Sequence, residues 1–251
     1  MAGNMISSKN SRIYAVAALA CLFLLVVNGC GPDKPAPPQE TGTVTDIDGN
    51  VYQTIKIGSQ WWMAENLKVS NYNDATPITK VLTDTAAWNN NTSGAYCIYD
   101  APGAPGYLYN WHAITNAKGL APAGWHVPSD EEWKELEKSL GMTQTEADKT
   151  NFRGIDEAGK LRAMGPNYWA PYSNVWSNNE SGFAALAGNC RMFDGRWGFP
   201  NGYRSTGFWW SSTEHSGGNA GWYRHLDYKK TSIFRYYGLK TYGFSVRCVK
   251  D

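Results

Sequence analysis

The stretch that most constrains this chain is residues 124–133, read Gly-Trp-His-Val-Pro-Ser-Asp-Glu-Glu-Trp, because it prescribes where a helix begins. Ser129 and Glu132 have the spacing of a capping box, in which each side chain bonds the other residue's free backbone N–H. Asp130 and Glu131 put negative charge at the positive end of the helix dipole. Trp133, Leu136 and Leu140 follow at i, i+3 and i+7, a single apolar stripe. Gly141 supplies the stop. A strand end running into this helix is therefore expected at the centre of the fold.

The rest of the chain favours strands. Its 251 residues suffice for one sizeable domain or two small ones. With 12 Trp, 15 Tyr and 26 Gly, the chain calls for short strands, many turns and aromatic packing rather than long helices. Asp48-Gly49, between alternating stretches at 43–47 and 51–57, is a hairpin signal. Residues 61–63 add a strand, and 95–99 a short one inside an otherwise polar, loop-like region at 70–106. Residues 107–113 suit a small helix or turn. Residues 152–164 suit a second short helix, with Ile155, Leu161 and Met164 apolar. Strand candidates follow at 183–190, 207–214, 221–228, 231–237 and 244–249. In the last of these Phe244, Val246 and Cys248 share one face, so Cys248 is expected to point inward.

The N-terminus carries an export pattern. Lys9 and Arg12 precede a 15-residue apolar run, 13–27, short for a membrane span and suited to a signal peptide. Val27-Asn28-Gly29-Cys30 resembles a bacterial lipobox. This implies cleavage of residues 1–29 and lipidation of Cys30; an ordinary secretory signal or an uncleaved anchor are the alternatives. Residues 30–42, with Pro32, Pro35, Pro37 and Pro38, read as an extended tether. Gly31 does not resemble an inner-membrane retention signal, which favours the outer membrane and leaves periplasmic or surface exposure open. Cleavage removes two basic residues and no acid, leaving 21 basic against 22 acidic side chains. No basic field exists to hold nucleic acid. The expected partner is the membrane, through the lipid anchor.

Residues 124–136, read with Gly243-Phe244-Ser245-Val246-Arg247-Cys248-Val249-Lys250-Asp251, resemble the Fibrobacter major paralogous domain family, found on bacterial envelope lipoproteins. Asp48-Gly49-Asn50-Val51-Tyr52, Trp61-Trp62-Met63-Ala64-Glu65-Asn66-Leu67, Tyr109-Asn110-Trp111 and Trp209-Trp210-Ser211-Ser212-Thr213-Glu214 support the likeness, in family order over residues 43–251. The Gly124-x-x-x-Pro128-x-x-x-x-Trp133 pattern is also similar to the formylglycine-generating-enzyme and C-type-lectin-like group. The resemblance implies an α+β, C-type-lectin-like domain at 43–251, a twisted, mainly antiparallel sheet with one or two short helices and many loops. Its N- and C-terminal strands would lie close together.

Function is less constrained. Export leaves Cys97, Cys190 and Cys248 where disulfides persist. Three thiols leave one unpaired. Relatives often carry a cysteine at 119–122, where this chain has none. A Cys190–Cys248 bridge is preferred over one to Cys97, with three buried free thiols as the alternative. No Cys-x-x-Cys or His-x-x-x-His occurs, and His112, His126, His215 and His225 are scattered, so neither metal nor cofactor is expected. Asp46, Asp48 and Asn50 lack the Gly and Glu positions of a calcium loop. No Gly-x-Ser-x-Gly, Walker loop or Rossmann fingerprint appears. Glu131, Glu132 and Glu135 sit where capping alone demands acids. The formylglycine-generating enzymes rely on a close cysteine pair that this chain lacks, so no enzyme is expected and no catalytic residue is assigned.

A non-catalytic binding module is the leading expectation, for glycan or for envelope or surface protein. In the lectin-like fold the ligand loop precedes the late strands, which implies residues 191–207 here. Arg191, Asp194, Arg196, Trp197, Tyr203 and Arg204 are the candidate contacts, beside Phe199 and Asn201. Rings can stack on sugar faces or side chains, while Arg and Asp give directional polar contacts. The same rings could merely pack the loop onto the body. The alternative function is a structural envelope protein without a small-molecule ligand, and a more remote one is an enzyme of the formylglycine-generating-like group.

Overall fold

The capping box forms as its spacing requires. The Ser129 hydroxyl accepts from the Glu132 N–H, and the Glu132 carboxylate accepts from the Ser129 N–H at 2.7 Å. The helix it starts ends on Gly141 at φ +114°, a conformation that suits glycine. There Gly141 N–H bonds the Lys138 carbonyl and Met142 N–H the Glu137 carbonyl, the paired bonds of a Schellman stop. Trp133, Leu136 and Leu140 are all buried, as the stripe requires.

The computed structural model describes residues 38–99, 106–198 and 202–251; the signal, lipobox and most of the tether lie outside the described residues. In chain order the elements are β1 (Thr41–Thr45), β2 (Val51–Ile57), β3 (Gln60–Met63), β4 (Thr79–Lys80), α1 (Thr85–Asn89), β5 (Ala95–Cys97), β6 (Leu108–Tyr109), α2 (Trp111–Ile114) and β7 (Trp125–His126). They continue with α3 (Asp130–Ser139), α4 (Gln144–Ala147), β8 (Asn151–Arg153), α5 (Glu157–Leu161), β9 (Thr206–Glu214), β10 (Ala220–Asp227), β11 (Ile233–Leu239) and β12 (Val249–Lys250). Three sheets result, ordered β1-β2-β3-β12-β7, β8-β11-β10-β9 and β4-β5-β6. Among the strand pairings of the described residues, only β4–β5 is parallel. The fold is thus α+β and mainly antiparallel. Strands from both ends of the described chain share the first sheet, β12 pairing with β3 at Val249 and Trp62. Among the described residues, no helix is long and apolar enough to cross a membrane.

The β1–β2 hairpin turns at Asp48-Gly49, with Gly49 at φ +82°. Asp46 braces it, accepting from the N–H groups of Asp48 and Asn50 and from the Tyr52 hydroxyl. Asp48 in turn accepts from Ser70 and Asn71. These acids are turn braces.

One packing centre joins α3 to the first two sheets. Trp133 lies 5.0 Å from Trp62 and 5.8 Å from Phe183, ring centre to ring centre, and its indole N–H donates to the Trp210 carbonyl. Beside it sits a buried ion cluster. Arg224 bonds Asp130 at 2.6 Å and Glu137 at 2.6 Å, Arg235 bonds Asp130 at 2.6 Å, and Arg153 bonds Glu137 at 2.5 Å. Burial would raise the Asp130 carboxyl, but hydrogen bonds and charge from Arg235 and Arg224 outweigh it and hold the group well below the usual carboxylate range. Asp130 therefore does more than favour the helix dipole: it anchors two strands to α3.

The second short helix expected within 152–164 is α5, Glu157–Leu161, although 151–153 are a strand and Ile155 is 81% exposed with Met164 also outward. Only Leu161 of the three apolar residues is buried. Residues 183–190 hold isolated bridges instead of a strand, because Ala184 and Asn189 take positive φ and break any ladder. Residues 244–249 bridge to Tyr109 and Trp209 but become a strand only at Val249. Cys248 points inward as expected, yet the intervening Ser245 and Arg247 are buried as well. Arg247 is caged by Asn66 Oδ1 at 2.9 Å and by the carbonyls of Phe183 and Ala184, and burial lowers it to about 9. The region 70–106 is no mere surface loop either. It contains α1, whose Trp88 is fully buried and donates to the Thr241 carbonyl at 2.7 Å.

Trp133 fills the junction of helix and sheets, so Trp133→Ala should lower unfolding free energy by roughly 3–5 kcal/mol, read from urea denaturation.

Candidate functional site

The stretch 191–207 runs into β9 at Thr206, and two of its four charged side chains, Arg191 and Arg204, serve the fold. Arg191 is 1% exposed. Its Nε donates to the Gly195 carbonyl at 2.6 Å and its Nη1 to the carbonyls of Val81 and Leu82. The guanidinium lies between the rings of Trp88 at 5.1 Å and Trp197 at 5.0 Å. As a ligand contact Arg191 is thus corrected: it ties the loop to α1 and to residues 81–82, just after β4. Arg204 is also corrected, since its Nη2 donates to the carbonyls of Pro166 and Trp169 and pins that segment. Asp194 and Arg196 pair with each other at 2.6 Å near the surface. Arg196 is raised and Asp194 lowered by that mutual hydrogen bond. Tyr203 is half-buried, its backbone bridged to Gly188. Phe199 and Asn201 lie outside the described residues.

Trp197 remains 39% exposed, 5.2 Å from Tyr99. With Leu82, Thr83 and Ile98 the two rings border a hollow of about 420 Å³.

The expected Cys190–Cys248 bridge is not formed. Cys97, Cys190 and Cys248 are all buried free thiols. Their surroundings differ: Cys248 sits by Asp46 and Tyr52, whereas Cys190 sits by Gly198, Tyr223 and Tyr242. Burial pushes the thiols of Cys97 and Cys190 up to about 12.

The histidines are held individually. His126 is clamped between Asp251 at 2.6 Å and Glu132 at 2.7 Å. Burial would lower it, but the hydrogen bonds and charges of those two carboxylates raise it above its ordinary value. His225 is lowered to about 3 by burial, with the Arg162 charge adding to the effect. Among the described residues, no three His, Cys, Asp or Glu side chains gather as a metal site.

An extended aromatic feature lies on the sheet β8-β11-β10-β9. Cross-strand partners Arg224 and Arg235 face α3, so residues one position away face the opposite side. That opposite face carries a file of rings. Tyr242 stacks on Phe244 at 5.3 Å, Phe244 on Phe208 at 5.1 Å, and Phe208 on His225 at 4.2 Å. Phe234 and Phe152 continue it, 5.7 Å from His225 and 4.9 Å from each other respectively. Tyr223 and Tyr236, paired across β10 and β11, stand alongside. A groove of about 380 Å³ opens over these rings, with Met192, Tyr223, Phe234, Tyr236 and Tyr242 among its walls and Phe244 in its lining. Met192 comes from the 191–207 loop, and Phe193 packs on Tyr242 at 5.6 Å. The loop therefore rims the groove, though not through the residues expected to touch ligand.

The sequence analysis missed Tyr223, Phe234, Tyr236 and Tyr242. For the first three a signal was present: Arg224 and Arg235 occupy the alternate positions of β10 and β11 and need buried acids to meet them, which sends Tyr223, Phe234 and Tyr236 to the other face.

A family model, the Fibrobacter succinogenes major domain, matches residues 55–250. Comparison with curated proteins and with solved structures gave no match.

Arg191→Ala should destabilise the domain by about 2–4 kcal/mol, since it strands buried carbonyls and unpacks two indoles. Trp197→Ala, at the rim, should cost under about 1 kcal/mol. Parallel urea titrations would read both; equal effects would remove the structural assignment of Arg191.

Proposed function

Because the chain belongs to the Fibrobacter succinogenes major domain family, we propose that it is an envelope lipoprotein displaying a non-catalytic, lectin-like binding domain. Cys30 is the lipidation site, residues 30–42 are the tether, and the outer membrane is the anchoring surface. The ligand is a glycan or an envelope or surface protein, and the ligand site is the ring-lined groove on the outer face of β9, β10 and β11.

The observation that carries this reading is the groove itself. Tyr223, Phe234, Tyr236 and Tyr242 are only half-buried although they stand in or beside one file of rings that lines the groove. A concave surface of this kind, mostly apolar with a few polar tips, is how ligand sites are built. Contiguous exposed apolar surface marks interaction sites more often than neglect. A non-catalytic role is supported by the buried carboxylates. Asp130 and Glu137 are each held by arginines, and Glu157 accepts from the N–H groups of Ile155 and Asp156. None is left as a free acid or base.

The anchor has its own test. Detergent partitioning should place the mature protein in the detergent phase, and Cys30→Ser should move it to the aqueous phase. A wild-type protein whose mature N-terminus is not an acylated Cys30, by mass spectrometry, would remove the lipoprotein reading.

The groove is tested separately on the soluble 38–251 domain against glycan arrays and envelope fractions. Tyr236→Ala should weaken attachment roughly tenfold, the cost of losing one central ring of about 1.4 kcal/mol, while melting stays near wild type. Attachment that survives Tyr236→Ala but fails in Trp197→Ala would move the site to the Tyr99–Trp197 hollow. A domain that attaches to nothing would favour a structural envelope protein.

A further inference from the structure

The ring-lined groove does not stand alone. A second hollow of about 340 Å³ adjoins it, bordered by His215, Asn219 and Leu239. Tyr237, Gly238 and Tyr242 line both, so the two hollows share a wall. Each alone is near the lower end of the volumes that hold a small ligand, about 300–1,000 Å³. Joined side by side, they suit something longer than it is wide.

Among the described residues, the walls of both hollows carry no Lys, Arg, Asp or Glu. The nearby charges are already spent on one another: Asp194 on Arg196, and Lys240 on Glu214 at 2.5 Å. Three of the wall tyrosines, Tyr223, Tyr236 and Tyr242, are held above the ordinary phenol value. Burial raises the phenols of Tyr223 and Tyr242, with Cys190 and Tyr242 or Asp194 adding to it, and the hydrogen bond to Tyr237 raises Tyr236. These hydroxyls therefore remain uncharged donors and acceptors. They rim rings whose faces are apolar.

Three ligand chemistries can be weighed against that surface. An acidic polymer or a phosphorylated group requires arginine or lysine in the wall, and there is none. A wholly apolar helix would bury the tyrosine hydroxyls without partners, which is costly. A pyranose satisfies both halves at once, laying its C–H face on a ring and turning its hydroxyl edge to the phenols. We propose, on the basis of the binding reading above, that the paired hollows seat a neutral saccharide chain of at least two units, straddling Tyr242.

Affinity electrophoresis of the 38–251 domain tests this. Native gels would contain hydroxyethylcellulose, xyloglucan, galactomannan, dextran or polygalacturonate, at low and high salt. Retardation is expected in at least one neutral gel, with little change on adding salt. An oligosaccharide cut from that polymer should compete, and its monosaccharide should compete at least about tenfold more weakly. Tyr236→Ala with Tyr242→Ala should abolish retardation, and Tyr236→Phe with Tyr242→Phe should reduce it partly, since rings remain without hydroxyls. If the double alanine variant does not melt cooperatively, Tyr236→Ala alone carries the test. Retardation only by polygalacturonate, lost in these variants, would keep the groove and overturn the neutral class. Retardation in a neutral gel that the variants leave unchanged would overturn the groove as the site. Equal competition by the monosaccharide would overturn the two-unit length. No retardation in any gel overturns the inference.

Discussion

The buried ion cluster on α3 is the constraint from which the rest of this domain follows. Asp130 and Glu137 are seven residues apart, two helical turns, and so lie on one face. Arg224 reaches both acids, Arg235 takes Asp130 from the other side, and Arg153 takes Glu137. Removing charges from water is expensive, and only near-complete pairing offsets it. Here each guanidinium also finds backbone oxygen: Arg153 at Ile233, Arg224 at Asp130, Arg235 at Asp148. A cluster satisfied this fully tolerates one register and resists others, because sliding a strand by one residue would leave an arginine outside and an acid stranded.

That single register decides the site. Strand side chains alternate, so the arginines' inward position sends Tyr223 and His225 of β10, and Phe234 and Tyr236 of β11, to the far face. Phe208 of β9 joins them through its pairing with His225. Among the described residues α3 covers the other face, whereas on this one Trp111 of α2 packs at one end, against Gly221, and the rings around Tyr236 stay half-buried. The aromatic groove is thus the reverse side of an electrostatic decision, and the residues that hold α3 never touch it.

The parts of the fold legible in the sequence were those specified by neighbours in the chain. Ser129 with Glu132, Gly141 and the Asp48-Gly49 turn each act within a few residues, so spacing alone located them. Long-range satisfaction was not legible. Arg191 looked like a loop cation available to ligand, yet its partners are carbonyls at Val81 and Leu82, more than a hundred residues away. Arg204 misled for the same reason. Trp88 sat in a polar stretch and still entered the core, because Thr241 from the far end of the chain accepts its N–H. The groove was hidden by a different ambiguity. Tyrosine and phenylalanine in strands suit a covered face and an open one equally, and only the third dimension separates them.

The floor of the groove bears on how it can recognise anything. Phe244 is buried and belongs to the central cluster, yet it stacks with Tyr242 above and Phe208 below. Its backbone is locked on both sides, donating to and accepting from Tyr109. Trp210 packs 4.4 Å from the same ring and donates its indole N–H to the Tyr109 carbonyl. The ring file therefore continues into the interior and has no freedom to rearrange independently of it. Side chains held this way lose little conformational entropy when a ligand arrives, so stacking energy is not consumed in ordering the site. A binding surface of the kind proposed, grown from the core in this way, would be rigid, and its selectivity would rest on the shape of the two hollows and on the hydroxyls at their rim.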